Sequence, residues 1–150
     1  MDTTAIVEAV ATHAEVLGIF ETPVLRHEPK SAPGVGIHLA VFGERLTPVR
    51  SSGLASVSGR LVLTARIYIS MLMEPQDAID PLLFGAADAL FTAYCGDFEL
   101  GGLIRQVDIF GAHGVGLDCD AGYGAIDSKV FRIADITLPL IINDIWTEAP

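Results

Sequence analysis

The sequence predicts an α+β fold in which two helices pack on a mainly antiparallel sheet. Apolar residues recur at helical spacing in two separate segments, 2–17 and 77–94. Between and after these segments, apolar and polar residues alternate as they do in half-buried strands. The connections between neighbouring strands are short or rich in glycine, which is typical of hairpins and not of parallel crossovers. The predicted order of elements is helix, strand, strand, helix, strand, strand.

Both predicted helices carry signals for their beginning and end. Residues 2–4 offer side chains that can cap the first helix, and Gly18 can supply the left-handed residue that ends it. Asp77 or Asp80 can cap the second helix, which we expect to stop near Cys95-Gly96.

The clearest strand is Arg60–Ile69, which alternates over ten residues. Leu61, Leu63, Ala65, Ile67 and Ile69 share one side, which we expect to pack under the second helix. The opposite side carries Arg60, Val62, Thr64, Arg66 and Tyr68. We predict that this opposite side touches another protein molecule.

Three further stretches are predicted to be strands: Val35–Phe42, Leu103–Phe110 and one or two strands within Ala125–Ile142. A change of phase near Arg132–Asp135 predicts a bulge or break. Pro139 predicts an edge or strand-end position, because proline cannot donate to a strand ladder.

We interpret residues 1–150 as a single domain, since this length is usual for one hydrophobic core. Residues 44–59 are small and polar, and we expect them to form a flexible hairpin arm into which the flanking strands can extend. Residues 143–150 are expected to be a short polar tail that carries the only tryptophan, Trp146.

Charge is distributed unevenly along the chain. The net charge is −10, yet residues 45–73 contain four arginines and no acid. A cationic segment on an acidic protein favours contact between copies or with an acidic partner, while the alternative is that these arginines protect a strand edge from aggregation. The candidate interface residues are Arg45, Arg50, Arg60, Arg66, Tyr68 and Trp146.

The sequence offers little catalytic chemistry. It has no nucleophile, zinc or phosphate-loop motif, so we expect no enzyme, no catalytic, metal or cofactor-binding residue and no cofactor. Cys95 and Cys119 are expected to be free thiols. The glycine-rich run 111–124 is interpreted as a hairpin connection, with an ion site at His113, Asp118 and Asp120 as the alternative.

Membrane insertion and export are not expected. The most apolar region, Val130–Trp146, contains charges and a proline and is too interrupted to span a bilayer. Residues 1–4 lack the basic region of a signal peptide.

The order of elements resembles the tail terminator proteins of long-tailed bacteriophages, also called tail-to-head joining or minor tail proteins. The likeness extends over nearly the whole chain. It rests on the first helix, the proline-rich connection into Val35–Phe42, the small-residue hairpin, the strand Arg60–Ile69, the helix Pro75–Tyr94 and the final strands. The segments Pro75–Pro81 and Tyr94–Gly102 are similar to those of actinobacterial phage tail proteins.

This resemblance implies a structural virion protein that forms a ring of six copies. Such a ring caps the tail tube, stops its elongation and offers a surface to the head-completion or neck proteins, while DNA passes through the lumen without specific binding. The implied location is the head-proximal end of the tail in the virion, and the host cytoplasm during assembly. Two alternatives stay open: another neck or head-closure protein, and a small ligand- or metal-binding enzyme domain with its site near His113, Asp118 and Asp120.

Overall fold

The structure is a computed structural model that describes residues 1–50 and 53–149. Its elements are α1 (Thr3–Val16), β1 (Ile37–Pro48), β2 (Ser56–Ser70), α2 (Ile79–Gly96), β3 (Gln106–Val107), β4 (Asp118–Ile126) and β5 (Lys129–Thr147). The strands form one antiparallel sheet in the order β1-β2-β5-β3, and β4 also pairs with β5. The predicted α+β class is confirmed.

The helix α1 lies where its capping signals place it, but the predicted cap of α2 by Asp77 or Asp80 is wrong. α2 follows Ala78 without a side-chain cap, and the Asp80 carboxylate accepts from Arg132 at 2.8 Å. The Asp2 carboxylate accepts a hydrogen bond from the Ala5 N–H, a cap that contributes about 1 kcal/mol. A short 3₁₀ turn, Gln76–Ala78, leads into α2, whose buried side consists of Ile79, Leu83, Ala86, Ala87, Leu90 and Tyr94. The Tyr94 hydroxyl donates to the Val10 carbonyl at 3.2 Å and so ties α2 to α1.

The stretch Gln76–Gly96 is long and apolar enough to cross a membrane by length and composition alone. One such helix is weak evidence for a membrane segment, because core helices have the same properties. Here the inner residues of the helix contact α1 and the sheet.

β1 and β2 form a hairpin that extends into the predicted arm. β1 runs on to Pro48 and β2 begins at Ser56, so residues 44–48 and 56–59 of the predicted arm lie in strands. A bulge between Gly43 and Arg45 shifts the register. Residues 51 and 52, the predicted tip of the arm, lie outside the described residues.

The second half of the sheet differs from the sequence prediction. The predicted strand Leu103–Phe110 is reduced to β3, Gln106–Val107, and part of the glycine-rich run that we expected to be a connection forms β4. β5 is a single strand that continues to Thr147, so residues 143–147 of the predicted tail are strand, and Trp146 and Thr147 pair with β2. The glycines of β4 obscured its alternation, because they add no side chain to either face.

The bulge predicted near Arg132–Asp135 is also absent, since these residues pair with β2 in unbroken register. The irregularity lies further along, where Val57 pairs with Trp146 but Gly59 pairs with Ile142. Between these two pairs β5 has three residues where β2 has one. Asp144, the middle of the three, adopts a positive φ of 52°, and its N–H donates to the Ser58 hydroxyl. A Cβ on Gly59 would lie 2.2 Å from the Ile145 side chain, which explains glycine at this position.

Pro139 was wrongly predicted to lie at an edge or strand end. It lies within β5, opposite Val62, at the point where β5 exchanges β4 for β3 as its outer neighbour. Its carbonyl accepts from the Asp108 N–H at 2.9 Å. Pro139 lies between the last β5 residue that pairs with β4 and the first that pairs with β3. No described strand on that side needs an N–H from residue 139, so the missing proline N–H leaves no ladder hydrogen bond unmade.

The main core fills the space between the helices and one side of the sheet. As predicted, Leu61, Leu63, Ala65, Ile67 and Ile69 all belong to it, together with the inner residues of α2. A smaller cluster on the other side of the sheet contains Ala40, Tyr68 and Phe131. β2 is therefore covered on both sides, and the prediction of a half-buried strand is wrong for it.

Candidate functional site

The candidate site lies on the polar face, by which we mean the side of the sheet turned away from the helices. On β2 this face carries Arg60, Val62, Thr64, Arg66 and Tyr68. Arg60 is only 7% exposed and Tyr68 only 2%. Because β2 is central and both ends of its polar face are covered, these two residues do not form an open contact surface in the monomer.

Arg60 is held in a buried ion pair. Its Nε lies 3.3 Å from the Asp108 Oδ2, and its guanidinium also donates to the Val115 carbonyl. Asp108 is 2% exposed and accepts from the Ala112 and His113 N–H groups at 2.8 and 3.1 Å. A Cβ on Gly114 would lie 2.8 Å from the guanidinium, so glycine lets the loop close over the arginine.

Sequence reasoning missed Asp108 because we placed it in a predicted strand, without a partner. The available signal was physical: a buried arginine requires an acid or several acceptors. The loop that follows β3 supplies both the carboxylate and the carbonyl.

Arg66 is also paired within the molecule, although it is only half-buried. Its guanidinium donates to Asp135, with Nη2 3.1 Å from Oδ2, and approaches Glu28 at 3.4 Å. The hydrogen bond to Asp135 is the main reason that the Arg66 pKa is raised. Burial raises the pKa of the neighbouring Tyr68, with Arg66 acting in the opposite direction.

Arg45 and Arg50 differ from the arginines of β2 because both are exposed. Neither has an ion-pair partner within residues 1–50 and 53–149. Together with Arg60 they line a cleft of about 610 Å³ between the β1–β2 hairpin and loop 112–115, which we call the arginine cleft. Its lining includes Arg45, Thr47, Arg50, Arg60, His113 and Gly114, and among the described residues that line it none is acidic.

Trp146 lies at the same end of the sheet as the arginine cleft. It pairs with Val57 near the start of β2 and is 40% exposed. Leu46 and Leu54 of the hairpin are also exposed, the latter at 98%. This end of the molecule therefore combines free arginines with exposed apolar side chains, a composition enriched in protein interfaces.

The three residues of the alternative ion site are separated by the fold. His113 borders the arginine cleft, whereas Asp118 and Asp120 lie on β4. In the part of the chain that the structure describes, no group of three or more His, Cys, Asp or Glu residues is placed to hold a metal ion. Cys95 and Cys119 are free thiols.

In the charged triplet Arg26-His27-Glu28, Arg26 attaches its loop to α1. Arg26 donates to Glu15 at 2.6 Å and to Glu8 at 2.8 Å, and both acids belong to α1. The Arg26 hydrogen bond holds the Glu8 pKa below its ordinary value. Among the described residues, the His27 side chain forms a hydrogen bond only with the Glu28 carbonyl.

β4 forms the opposite border of the sheet. Its nine residues are exposed or half-buried, and β5 is its one strand neighbour in the described chain. Asp118 and Asp120 point to the same face, opposite Thr137 and Asp135 of β5. Neither acid has a cationic partner among residues 1–50 and 53–149. The sheet thus has an acidic border at β4, while its β1 border carries Arg45 and, just beyond the strand, Arg50. One acid, Glu44, lies beside Arg45 and accepts from the Thr64 hydroxyl at 2.8 Å.

Comparison with known proteins leaves this geometry as the main guide to function. The sequence matches no protein-family model and no curated protein.

Proposed function

We propose that the protein is a structural virion component of the tail-terminator type, which forms a ring on the end of a phage tail tube. The observation that carries the proposal is the pair of unlike sheet borders. Arg45 on β1 and Arg50 just beyond its end are free arginines, and β4 carries free aspartates at the opposite border of the same sheet.

Unlike borders favour contact in a head-to-tail manner. When one patch of a protein binds a different patch on the next copy, the assembly is either a closed ring or an open filament. Exposed strand edges provide main-chain hydrogen bonds for such contacts, and the opposite charges favour one pairing over its reverse. The resemblance in sequence implies closure into a hexameric ring.

The acidic character of the protein supports a role in which the ring encloses DNA without binding it. With a net charge of −10, the surface has too few cations to neutralise a series of phosphates. A lumen bordered by acids repels the DNA backbone and lets it slide. In this proposal the arginine cleft binds acidic side chains of another protein molecule and not DNA phosphates.

The exposed apolar residues beside the cleft suit attachment to the tail tube. Leu46, Leu54 and Trp146 lie at one end of the sheet, so in a ring they form a repeated rim. We assign this rim to the tube and the remaining rim to the neck protein. The protein requires no cofactor and carries out no chemical step in this role.

Electron microscopy of particles assembled without this protein tests the proposal. A tail terminator that is missing leaves overlong tubes without heads, whereas tails of normal length would contradict the proposal. Tails of normal length that fail to join heads would instead indicate a head-closure or other neck protein. A bound metal in the purified chain, lost on replacing His113, Asp118 and Asp120 by alanine, would favour the ligand-binding alternative.

A further inference from the structure

The structure specifies how the two borders can meet. Only part of the outer edge of β1 is available. Residues 37–41 are already bonded to the preceding loop, with Leu25 N–H donating to Leu39 O at 3.0 Å and Val41 N–H donating to Leu25 O at 2.8 Å. The bulge at Gly43–Arg45 and the missing N–H of Pro48 interrupt the edge further along. The usable edge is therefore Arg45–Thr47.

Leu46 is the residue of this edge that presents its backbone outward. The Val49 N–H bonds to Ser58 of β2, and hydrogen-bonded pairs alternate along an antiparallel ladder. Thr47 and Arg45 therefore also direct their backbone groups to β2, while the N–H and C=O of Leu46 face away from it. The side chains of Arg45 and Thr47 lie on the polar face, opposite Val62 and Arg60.

The same reasoning applies to β4. A two-residue turn, Asp127-Ser128, with positive φ at both positions, joins β4 to β5 and makes Ile126 and Lys129 a hydrogen-bonded pair. Even-numbered residues of β4 therefore bond to β5, and Cys119 presents its backbone outward. Its N–H therefore does not bond to β5 and instead donates to the Asp118 carboxylate at 2.8 Å, a local hydrogen bond that an added strand has to displace. The side chains of Asp118 and Asp120 lie on the polar face.

The odd-numbered residues of β4 all face outward, so several antiparallel registers satisfy both edges and both faces, and complementary charge selects one of them. Leu46 of one copy forms a hydrogen-bonded pair with Cys119 of a second copy. Arg45 then lies opposite Asp120 of the second copy, and Thr47 lies opposite its Asp118, at the mouth of the arginine cleft. The helices of both copies remain on the same side of the extended sheet, as a ring requires.

We propose that β4 of one copy adds to the Arg45–Thr47 edge of the next, so that Asp118 and Asp120 enter the arginine cleft. This inference rests on the proposed ring and names its subunit contact. Arg60, fixed by Asp108, forms one wall of the cleft without needing a new partner. Arg45 and Arg50 supply two positive charges that are unpaired within the described residues, and the incoming strand supplies two unpaired negative charges.

Charge reversal on the full-length chain tests this contact by sedimentation at low salt. The Arg45→Glu/Arg50→Glu variant places acids against acids, and the Asp118→Arg/Asp120→Arg variant places arginines against arginines. We expect each variant to be monomeric alone, with an association constant reduced about tenfold or more. Because each reversed border complements the other, an equimolar mixture of the two variants should assemble with alternating copies. A chain that carries all four changes should assemble with itself.

Matched controls are available elsewhere on the surface. Arg105 is exposed, and Asp88 is the exposed acid in the middle of α2. Arg105→Glu and Asp88→Arg change the net charge in the same directions but lie outside the contact, so both variants should assemble as the unchanged chain does. Circular dichroism of every variant verifies that the monomer is folded.

The outcomes separate this contact from the proposed function. If the unchanged chain forms rings but the two reversed variants do so as well, or fail to combine when mixed, the register is wrong while the ring stands. If the unchanged chain is monomeric both alone and with tail tubes, the ring and this contact are both excluded. If only the arginine variant is impaired, and it loses binding of a labelled oligonucleotide, the cleft binds phosphate and the strand contact is wrong.

Discussion

The four arginines of the acid-free segment divide into two groups that the structure treats in opposite ways. Arg60 and Arg66, on the body of β2, are paired with acids of the same chain. Arg45 and Arg50, on the hairpin, have no such partner among the described residues. The difference follows from position, since a central strand has covering loops on its polar face while a hairpin end does not. Charge counted along the sequence therefore overstates the free charge by two arginines.

Breaking the buried pair should have the largest effect on stability. Arg60→Met leaves Asp108 as an uncompensated charge at 2% exposure, and we expect a loss of about 3–5 kcal/mol in the free energy of unfolding. Urea denaturation measures it. Adding Asp108→Asn removes the stranded charge and should recover part of the loss. A loss under about 1 kcal/mol for the single variant would show that water reaches the site.

Arg66→Met should cost less, about 1 kcal/mol, because its partner Asp135 is partly exposed and water screens the pair. Arg66 also lies over the Phe42 ring, 5.4 Å from its centre, and methionine retains much of that apolar contact. Urea denaturation at low and high salt separates the two contributions. The loss should shrink at high salt if the charge pair dominates, and a loss independent of salt would assign it to packing instead.

Arg45→Ala and Arg50→Ala should leave monomer stability within about 0.5 kcal/mol, since neither side chain has a partner to lose. Their effect should appear only in self-association, measured by sedimentation at low salt. Arg105→Ala provides the control for loss of an exposed arginine outside the cleft. Substantial destabilisation by either hairpin variant would contradict the division into paired and free arginines.

The exposed pair of His13 and Asp97 should contribute least to stability among these charged contacts. The Gly101 N–H and His13 hold the Asp97 pKa below its ordinary value of 3.8. A lowered carboxyl pKa adds stability above the ordinary value, and that stability is lost as the pH falls through the lowered pKa. The melting temperature of Asp97→Asn should thus fall slightly below that of the unchanged chain at pH about 6, and match it at pH about 2. A difference that persists in acid would assign the effect to something other than charge.

The sequence was most informative where side chains alternate or recur over many residues. The periodicity of segments 2–17, 60–69 and 77–94 predicted α1, the body of β2 and α2, as well as which residues of β2 meet α2. It failed for β4, whose Gly122 and Gly124 contribute nothing to a pattern of polar and apolar side chains. It also failed for Pro139, because the rule for proline in sheets depends on where neighbouring strands end, which local sequence does not reveal.

The candidate site was predicted in composition but not in geometry. The acid-free segment drew attention to the correct arginines, and Trp146 does lie near the hairpin. Arg60 is paired with Asp108, which lies 48 residues later in the chain, and no local pattern in the sequence encodes such a contact. The role of Arg45, Arg50 and Trp146 in assembly remains a prediction.

The pairing of β2 with β5 also determines the order in which the molecule can fold. The hairpins β1–β2 and β4–β5 are local in sequence, but Ile67 pairs with Ala134, 67 positions later. Contacts between such distant segments close slowly, because the entropy of the intervening loop is lost before the pairing is complete. Until then each hairpin exposes an inner edge that a hairpin from another chain can occupy. Folding at high protein concentration should therefore yield swapped dimers, and dilute refolding should suppress them.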